Sequence, residues 1–259
     1  MMSVAGLSGV GIDAVALKPS EVDVRKADTL DITTVTVDYE GREHVPDPAV
    51  LAELADSFDV RATVPVRADG FDPLGDDRVR QSLPGSVGEV LVAGHSAYLS
   101  EHERRRALAP RLEAATRTAT DPWIGTEGIE RLAMAVGGTQ FELLSNRTTR
   151  EVRALRAAGF SGDVAVYAPT VLTDDTDTIL DSVGEYAARR EQVRERLPAD
   201  APVDSSISGS ARDQLLDGCR EYALVGDGKT VRDRVERLYD AGVDRVVAYP
   251  ARGIDAVGT

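Results

Sequence analysis

The sequence predicts an α/β fold, a single (β/α)8 barrel of the TIM type over residues 1–259. Eight short runs of β-branched and other apolar residues alternate along the chain with segments of helical periodicity. Because parallel strands need crossover connections, which are usually helices, this order favours an α/β fold, and eight such units suit a closed barrel. A length of 259 residues with 42% hydrophobic content is sufficient for one barrel domain. A doubly wound open sheet is the alternative.

The first half of the chain supplies five of the predicted strands. They are 13–19 (DAVALKP), 32–40 (ITTVTVDYE), 60–68 (VRATVPVRA), 89–96 (EVLVAGHS) and 122–125 (PWIG). Between the second and the third, the run PDPAVLAELADSF places Val50, Leu51 and Leu54 on one helix face, and a weaker helical stretch covers 76–83. The run EHERRRALAPRLEAATRTA predicts one helix that is kinked at Pro110.

The second half is more regular and supplies the last three strands. They are 139–145 (TQFELLS), 163–172 (DVAVYAPTVL) and 244–250 (DRVVAYP), and helices are predicted at 127–136 and 148–159 before the first two. A long charged helix is predicted over 175–197, and two further helices precede the last strand. Near-continuous apolar runs such as DVAVYAPTVL are typical of parallel strands that are buried on both faces.

A possible phosphate loop is formed by Gly228, Lys229 and Thr230, which precede an amphipathic run. The Walker pattern needs a further glycine at position 223, where this chain has Ala223. The segment before the loop is also predicted to be helical, whereas a phosphate loop follows a buried strand. We therefore expect a helix start capped by Asp227 or Thr230, and no nucleotide site.

The composition is strongly acidic, with a formal net charge of −14. The basic residues are almost all arginine, since the only lysines are Lys18, Lys26 and Lys229. This balance is typical of proteins from salt-loving archaea, and an ordinary acidic enzyme is the alternative. An acidic surface repels phosphate backbones and anionic lipids, so we expect neither nucleic acid nor membrane partners.

Cysteine content and hydropathy indicate the compartment. Cys219 is the single cysteine, so an intramolecular disulfide is impossible. No apolar run approaches the ~20 residues that a membrane helix needs, and the N-terminus lacks the basic start of a signal peptide. We therefore expect a cytoplasmic protein.

Three segments carry a resemblance to a known family. WIGTEGIERLA (123–133) followed by TQFELL (139–144), VLVAGHSAYLSEHERRRALAPRLEAA (90–115), and the spacing of Gly226, Val231 and Gly242 resemble the luciferase-like superfamily of flavin- and deazaflavin-dependent oxidoreductases. The resemblance implies a barrel, often dimeric, that binds coenzyme F420 or FMN at the C-terminal ends of its strands. It also implies hydride transfer to or from a small organic substrate. The alternative is a catalytically degenerate barrel that acts as a binding or assembly subunit.

The resemblance also implies where the cofactor phosphate lies. In the deazaflavin branch, a turn of this kind and the start of the helix after it face the phosphate, here Gly125, Thr126, Glu127 and Gly128. Backbone N–H groups at a helix N-terminus attract anions, which is consistent with this role. Asn146 and Tyr167 lie at later strand ends and are further cofactor-binding candidates, with barrel packing as the alternative for Tyr167.

Two residues near strand ends are candidate catalytic groups, since the site of a barrel lies there. His95 can exchange a proton near neutral pH, and its alternative role is that of a loop histidine that caps the next helix. Asp38 can act as a base or hydrogen-bond anchor, although together with Glu40 it can also be a charged strand exit. The spacing of His95, His102 and the neighbouring glutamates matches no recognised metal motif, so no metal site is predicted.

Overall fold

The computed structural model describes residues 6–95, 97–125 and 137–258. Eight of its strands form a closed parallel barrel, which confirms the predicted fold class. These strands are β1 (Ala14–Leu17), β2 (Thr34–Val37), β3 (Asp59–Pro65), β4 (Gly88–Val92), β5 (Trp123–Gly125), β6 (Thr139–Leu143), β7 (Val164–Leu172) and β9 (Arg245–Pro250). Each corresponds to one of the eight runs expected from the sequence.

The barrel closes through pairings between strands that are distant along the chain. β6 pairs with β7, β7 with β9, and β9 with β1, where Val15 lies opposite Ala248. The remaining neighbours pair in sequence order from β1 to β6. Because the ring has no free edge, the doubly wound open sheet is excluded.

A ninth strand, β8 (Leu224–Gly226), was not expected from the sequence. It pairs with the last three residues of β7, Thr170–Leu172, at the end of β7 away from its first pairings with β6. Its apolar residues Leu224 and Val225 are buried, so contact with β7 and the surrounding core stabilises the extended backbone here. A short strand therefore does precede Gly228, which corrects the expectation that only a helix leads to this loop.

The described helices follow the predicted order. They are α1 (Pro48–Ala55), α2 (Arg78–Gln81), α3 (Glu101–Arg104), α4 (Leu108–Thr118), α5 (Thr148–Ala157), α6 (Thr176–Ala188), α7 (Glu191–Arg194), α8 (Gly209–Tyr222) and α9 (Gly228–Ala241). The helix predicted at 127–136 lies outside the described residues. Within the described part of the chain, no helix is long and apolar enough to cross a membrane.

Two of the predicted helices are divided. The segment with Pro110 forms α3 and α4, and Pro110 is the third residue of α4. The first N–H groups of a helix have no intrahelical acceptor, so proline fits there and the predicted kink is wrong. The predicted long helix over 175–197 breaks at Arg189 and Arg190 into α6 and α7.

The inside of the barrel is packed at its N-terminal end and open at the other. Small residues, Ala14 and Ala16 on β1 and Ala165 on β7, leave room for the ring of Trp123. The guanidinium carbon of Arg61 lies 4.6 Å from the centroid of the Trp123 ring and packs over it. The C-terminal mouth is thus the place where this barrel has space for a ligand, as in other barrels of this type.

Candidate active site

A cavity of about 620 Å³ lies at the C-terminal ends of the strands. Ligand pockets commonly have volumes of about 300–1,000 Å³. The residues that line it at or just after strand ends are Lys18, Asp38, Pro65, Val92 and Leu143. Further lining residues come from the helices and loops after the strands. The cavity therefore lies where the strands end, and residues of the following helices and loops complete it.

Asp38 follows β2 and lies in this cavity. Its Oδ2 accepts a hydrogen bond of 3.0 Å from the hydroxyl of Tyr167 on β7, which lies three strands from β2 around the barrel ring. Burial raises the pKa of Asp38 to about 7, although the Tyr167 hydrogen bond and the charge of Lys18 act in the lowering direction. A carboxyl group with this pKa can both release and accept a proton near neutral pH.

Tyr167 is held in place by its neighbours. Its ring stacks on that of Tyr249, with centroids 6.2 Å apart and planes 13° from parallel. Lys18 Nζ lies 4.1 Å from the Tyr249 centroid, and the Tyr249 hydroxyl donates to Glu21 Oε2 at 2.6 Å. Burial raises the pKa of Tyr167 well above its ordinary value, so the phenol remains a hydrogen-bond donor to Asp38.

Glu40, two residues after Asp38, contacts the loops after β1 and after β4 at the mouth of the barrel. It accepts hydrogen bonds from the hydroxyl of Tyr98 at 3.2 Å and from Ser20, and it lies 3.9 Å from Lys18 Nζ. Burial is also the main reason that the pKa of Tyr98 rises to about 12. Glu40 therefore anchors the loop after β4 to the end of β2.

His95 lies in the same loop, at the exposed edge of the cavity. Its Nδ1 accepts a hydrogen bond of 3.1 Å from the backbone N–H of Ala97, so the neutral ring carries its proton on Nε2. Its ring centroid lies 6.0 Å from that of Tyr98. The imidazole thus stabilises its own turn, which is close to the capping role, and it also lines the cavity that contains Asp38. A catalytic role of His95 stays a prediction.

The candidates for cofactor binding are only partly brought together. Asn146 lies exposed at the edge of the cavity, and Tyr167 lies inside it. Gly125 ends β5, where a Cβ would lie 2.9 Å from Val92 Cγ1 and 3.3 Å from Phe141 Cδ1, so glycine permits close packing of the barrel wall. The other three candidates in this turn lie outside the described residues, namely Thr126, Glu127 and Gly128.

The segment 226–230 forms a helix start, as predicted. The Asp227 carboxylate accepts the backbone N–H of Thr230 at 2.7 Å, and Lys229 Nζ pairs with Asp233 at 2.5 Å. A carboxylate therefore occupies the end of the helix that would otherwise attract a phosphate, and the lysine is engaged by the helix itself. The geometry does not favour a nucleotide site there.

Sequence reasoning missed one wall of the cavity. Tyr186, Arg190, Gln192 and Tyr222 line it, and they come from α6, the break after it, α7 and α8. A continuous helix over 175–197 gave no indication that the chain turns at Arg190. The run of charged residues there has no motif that would have revealed the wall.

The fold and the open mouth define a (β/α)8 barrel with a ligand-sized cavity at the C-terminal ends of its strands. Over residues 7–257 the sequence matches the family model described as "Family of unknown function (DUF7388)", so the chain belongs to this family. No curated protein matches the sequence.

Two solved structures are similar over almost the whole chain. One is the coenzyme F420-dependent tetrahydromethanopterin reductase from Methanopyrus kandleri, with a TM-score of 0.64 and 15% identity over 94% of both chains. The other is an F420-dependent secondary alcohol dehydrogenase in complex with an F420-acetone adduct, with a TM-score of 0.60 and 12% identity. That match covers 96% of this chain and 100% of the other. At these identities the likeness shows the shared fold, and it agrees with the luciferase-like resemblance of the sequence.

Proposed function

We propose that the protein is a luciferase-like oxidoreductase that transfers a hydride between coenzyme F420 and a small organic substrate. The observation that carries the proposal is Asp38, whose pKa lies at about 7 within the cavity at the barrel mouth. The F420-dependent enzymes that share the fold support the choice of cofactor. FMN is the alternative cofactor, because its ring system is also flat and of similar size.

The dimensions and lining of the cavity fit such a ring system. Its volume of about 620 Å³ is sufficient for a tricyclic ring and a small substrate. Aromatic side chains line it on several sides, among them Tyr98, Phe141, Tyr167, Tyr186 and Tyr222. Rings of this kind offer flat apolar surfaces against which a planar cofactor packs.

The residues of this chain supply the proton chemistry that accompanies hydride transfer. When bound, F420 accepts or donates the hydride. Oxidation of an alcohol carbon also requires removal of the hydroxyl proton, which the ionised form of Asp38 accepts. In the reverse direction the protonated carboxyl returns it. The Tyr167 hydroxyl donates to Oδ2 of Asp38, so it orients the carboxyl group and leaves Oδ1 for the substrate.

Cofactor binding can be measured through the fluorescence anisotropy of F420 and of FMN, titrated with the purified protein in molar potassium chloride. We expect saturable binding of F420. Leu143→Trp places a bulky ring at an inward-facing position of the cavity, so it should abolish binding. Leu74→Trp, at a side chain that is 54% exposed and does not line the cavity, is the matched control and should bind as the wild type does.

Each other outcome points to a different function. If the protein binds FMN but not F420, the cofactor of the proposed oxidoreductase is a flavin and not a deazaflavin. Binding that survives Leu143→Trp would place the cofactor outside this cavity and would contradict the proposed site. Failure of both cofactors to bind would favour the degenerate barrel that acts as a binding or assembly subunit.

A further inference from the structure

Arg190 presents an unneutralised positive charge to the cavity. It lies in the break between α6 and α7 and lines the cavity together with Gln192. Within residues 6–95, 97–125 and 137–258, no carboxylate lies within ion-pair distance of its guanidinium. The neighbouring Arg189 differs in this respect, because it pairs with Glu185 at 2.6 Å. Arg147 also lines the cavity without an ion pair to a described residue, but it is exposed, whereas Arg190 is half-buried.

Two tyrosine rings hold this guanidinium in place. Its central carbon lies 4.6 Å from the ring centroid of Tyr186 and 5.6 Å from that of Tyr222. One of its terminal nitrogens donates to the Tyr186 hydroxyl, and the Tyr222 hydroxyl donates to Gln192 Oε1 at 3.2 Å. Stacking against aromatic faces fixes the orientation of an arginine while its charge remains available to a ligand.

The Nε–H group of Arg190 is the part of this side chain that lacks a partner. The Nε atom is buried, and the described part of the chain offers it no hydrogen-bond acceptor. A buried donor on a charged group is unfavourable when it is left unpaired. A carboxylate or phosphate in the cavity can accept from the terminal nitrogens, and a small shift of the guanidinium would let its second oxygen reach the Nε–H group.

Arg190 and Asp38 both line the cavity and are connected through two tyrosines. The Tyr186 hydroxyl, which accepts from Arg190, is close enough to Tyr167 to raise its pKa electrostatically, and Tyr167 donates directly to Asp38. Two tyrosines therefore separate the proton-transferring carboxyl from the guanidinium. One ligand can place its reacting carbon at Asp38 and an anionic group at Arg190.

We propose that Arg190 binds the carboxylate or phosphate group of the substrate, so that the substrate is a small organic anion. The assignment to substrate depends on the proposed oxidoreductase function, whereas the anion site itself does not. The cavity also contains the carboxylates of Glu40, Glu142 and Glu151. These repel an anion, so that it is directed to the wall at Arg190.

The anion site is tested with ligand-detected NMR, using ¹³C-labelled succinate and inorganic phosphate as probes at constant potassium chloride. We expect saturable line broadening of at least one probe, and which one broadens identifies carboxylate or phosphate. In Arg190→Gln the dissociation constant should rise at least about tenfold, because a charged hydrogen-bonding group is lost. Arg190→Lys keeps the charge without the fork and should lie between the two. Arg194→Gln, an exposed arginine outside the cavity, is the matched control and should equal the wild type.

The proposed anion site would be refuted if neither probe bound the wild-type protein, or if a probe bound wild type and Arg190→Gln equally well. A repeat in the presence of F420 separates substrate from cofactor. Probe binding that persists with F420 supports the substrate assignment. Suppose that F420 displaces the probe, whereas the deazaflavin ring without its phosphodiester tail does not. Arg190 would then bind the cofactor phosphate, and the assignment to substrate would be overturned. Probe binding without binding of either F420 or FMN would refute the oxidoreductase function and leave the anion site intact.

Discussion

Replacement of Asp38 by asparagine should stabilise the protein at neutral and alkaline pH. Burial raises the pKa of this carboxyl from its ordinary value of 3.8 to about 7 in the folded state. Each pKa unit corresponds to about 1.4 kcal/mol, so a shift of about three units corresponds to about 4 kcal/mol of unfolding free energy. Asparagine has nearly the same shape, and its amide oxygen can still accept the Tyr167 hydroxyl.

The sign follows from the direction of the shift. Between pH 3.8 and about 7, the folded protein retains a proton on Asp38 that the unfolded chain has released. The stabilisation from this raised pKa is complete below the unfolded value and is lost as the pH rises through the folded value. The asparagine variant does not titrate at this position. Its advantage in unfolding free energy over the wild type should therefore grow by up to about 4 kcal/mol from pH 4 to pH 8.

Urea unfolding of both proteins in molar potassium chloride, at intervals from pH 4 to pH 8, measures this difference. Titrating groups that do not interact with Asp38 cancel, because they are common to both proteins. Asp200→Asn, at an exposed position outside the cavity, controls for the removal of one negative charge. A difference between Asp38→Asn and wild type that stays constant across the pH range would refute the inference that burial, and the proton chemistry based on it, governs Asp38.

Three further outcomes are expected. Tyr167→Phe removes a hydrogen bond that lowers the pKa of Asp38, so the midpoint of the Asp38 carboxyl ¹³C titration should move to higher pH, and an unchanged or lower midpoint would contradict the geometry. The melting temperature should rise from low to molar potassium chloride, because salt screens the repulsion among excess negative charges. Equal melting temperatures at the two salt concentrations would mean that the acidic composition does not reflect adaptation to salt. Gly184→Ala brings a Cβ into steric conflict with the Val203 carbonyl oxygen and should lower the unfolding free energy by about 1–3 kcal/mol. Gly85→Ala, where an added Cβ meets nothing within 4 Å, should change the unfolding free energy little in the same urea titration.

Local physical chemistry in the sequence was sufficient for the fold class and for the location of the candidate site. The run 163–172 is apolar at almost every position, and β7 is buried along nearly its whole length, as a parallel strand packed on both faces must be. Alternation of side chains along β2 places Asp38 on the same inward face as Thr34 and Thr36, which a period of two predicts without knowledge of the neighbours. Asp227 caps α9 through the backbone N–H of Thr230, a contact over three residues.

The tertiary structure alone decided which strand ends come together and what chemistry they have. Tyr167 is 129 residues from Asp38 along the chain, and only closure of the barrel brings its hydroxyl to that carboxyl. The pKa of Asp38 depends on how much water the surrounding residues exclude, which no local pattern records. Arg190 and Tyr222 likewise meet because the chain turns after α6, and β8 is extended because β7 continues beyond the ring and offers it hydrogen bonds. Solvent exclusion and contacts through space are properties of the assembled barrel, whereas periodicity and helix capping are already present in a few neighbouring residues.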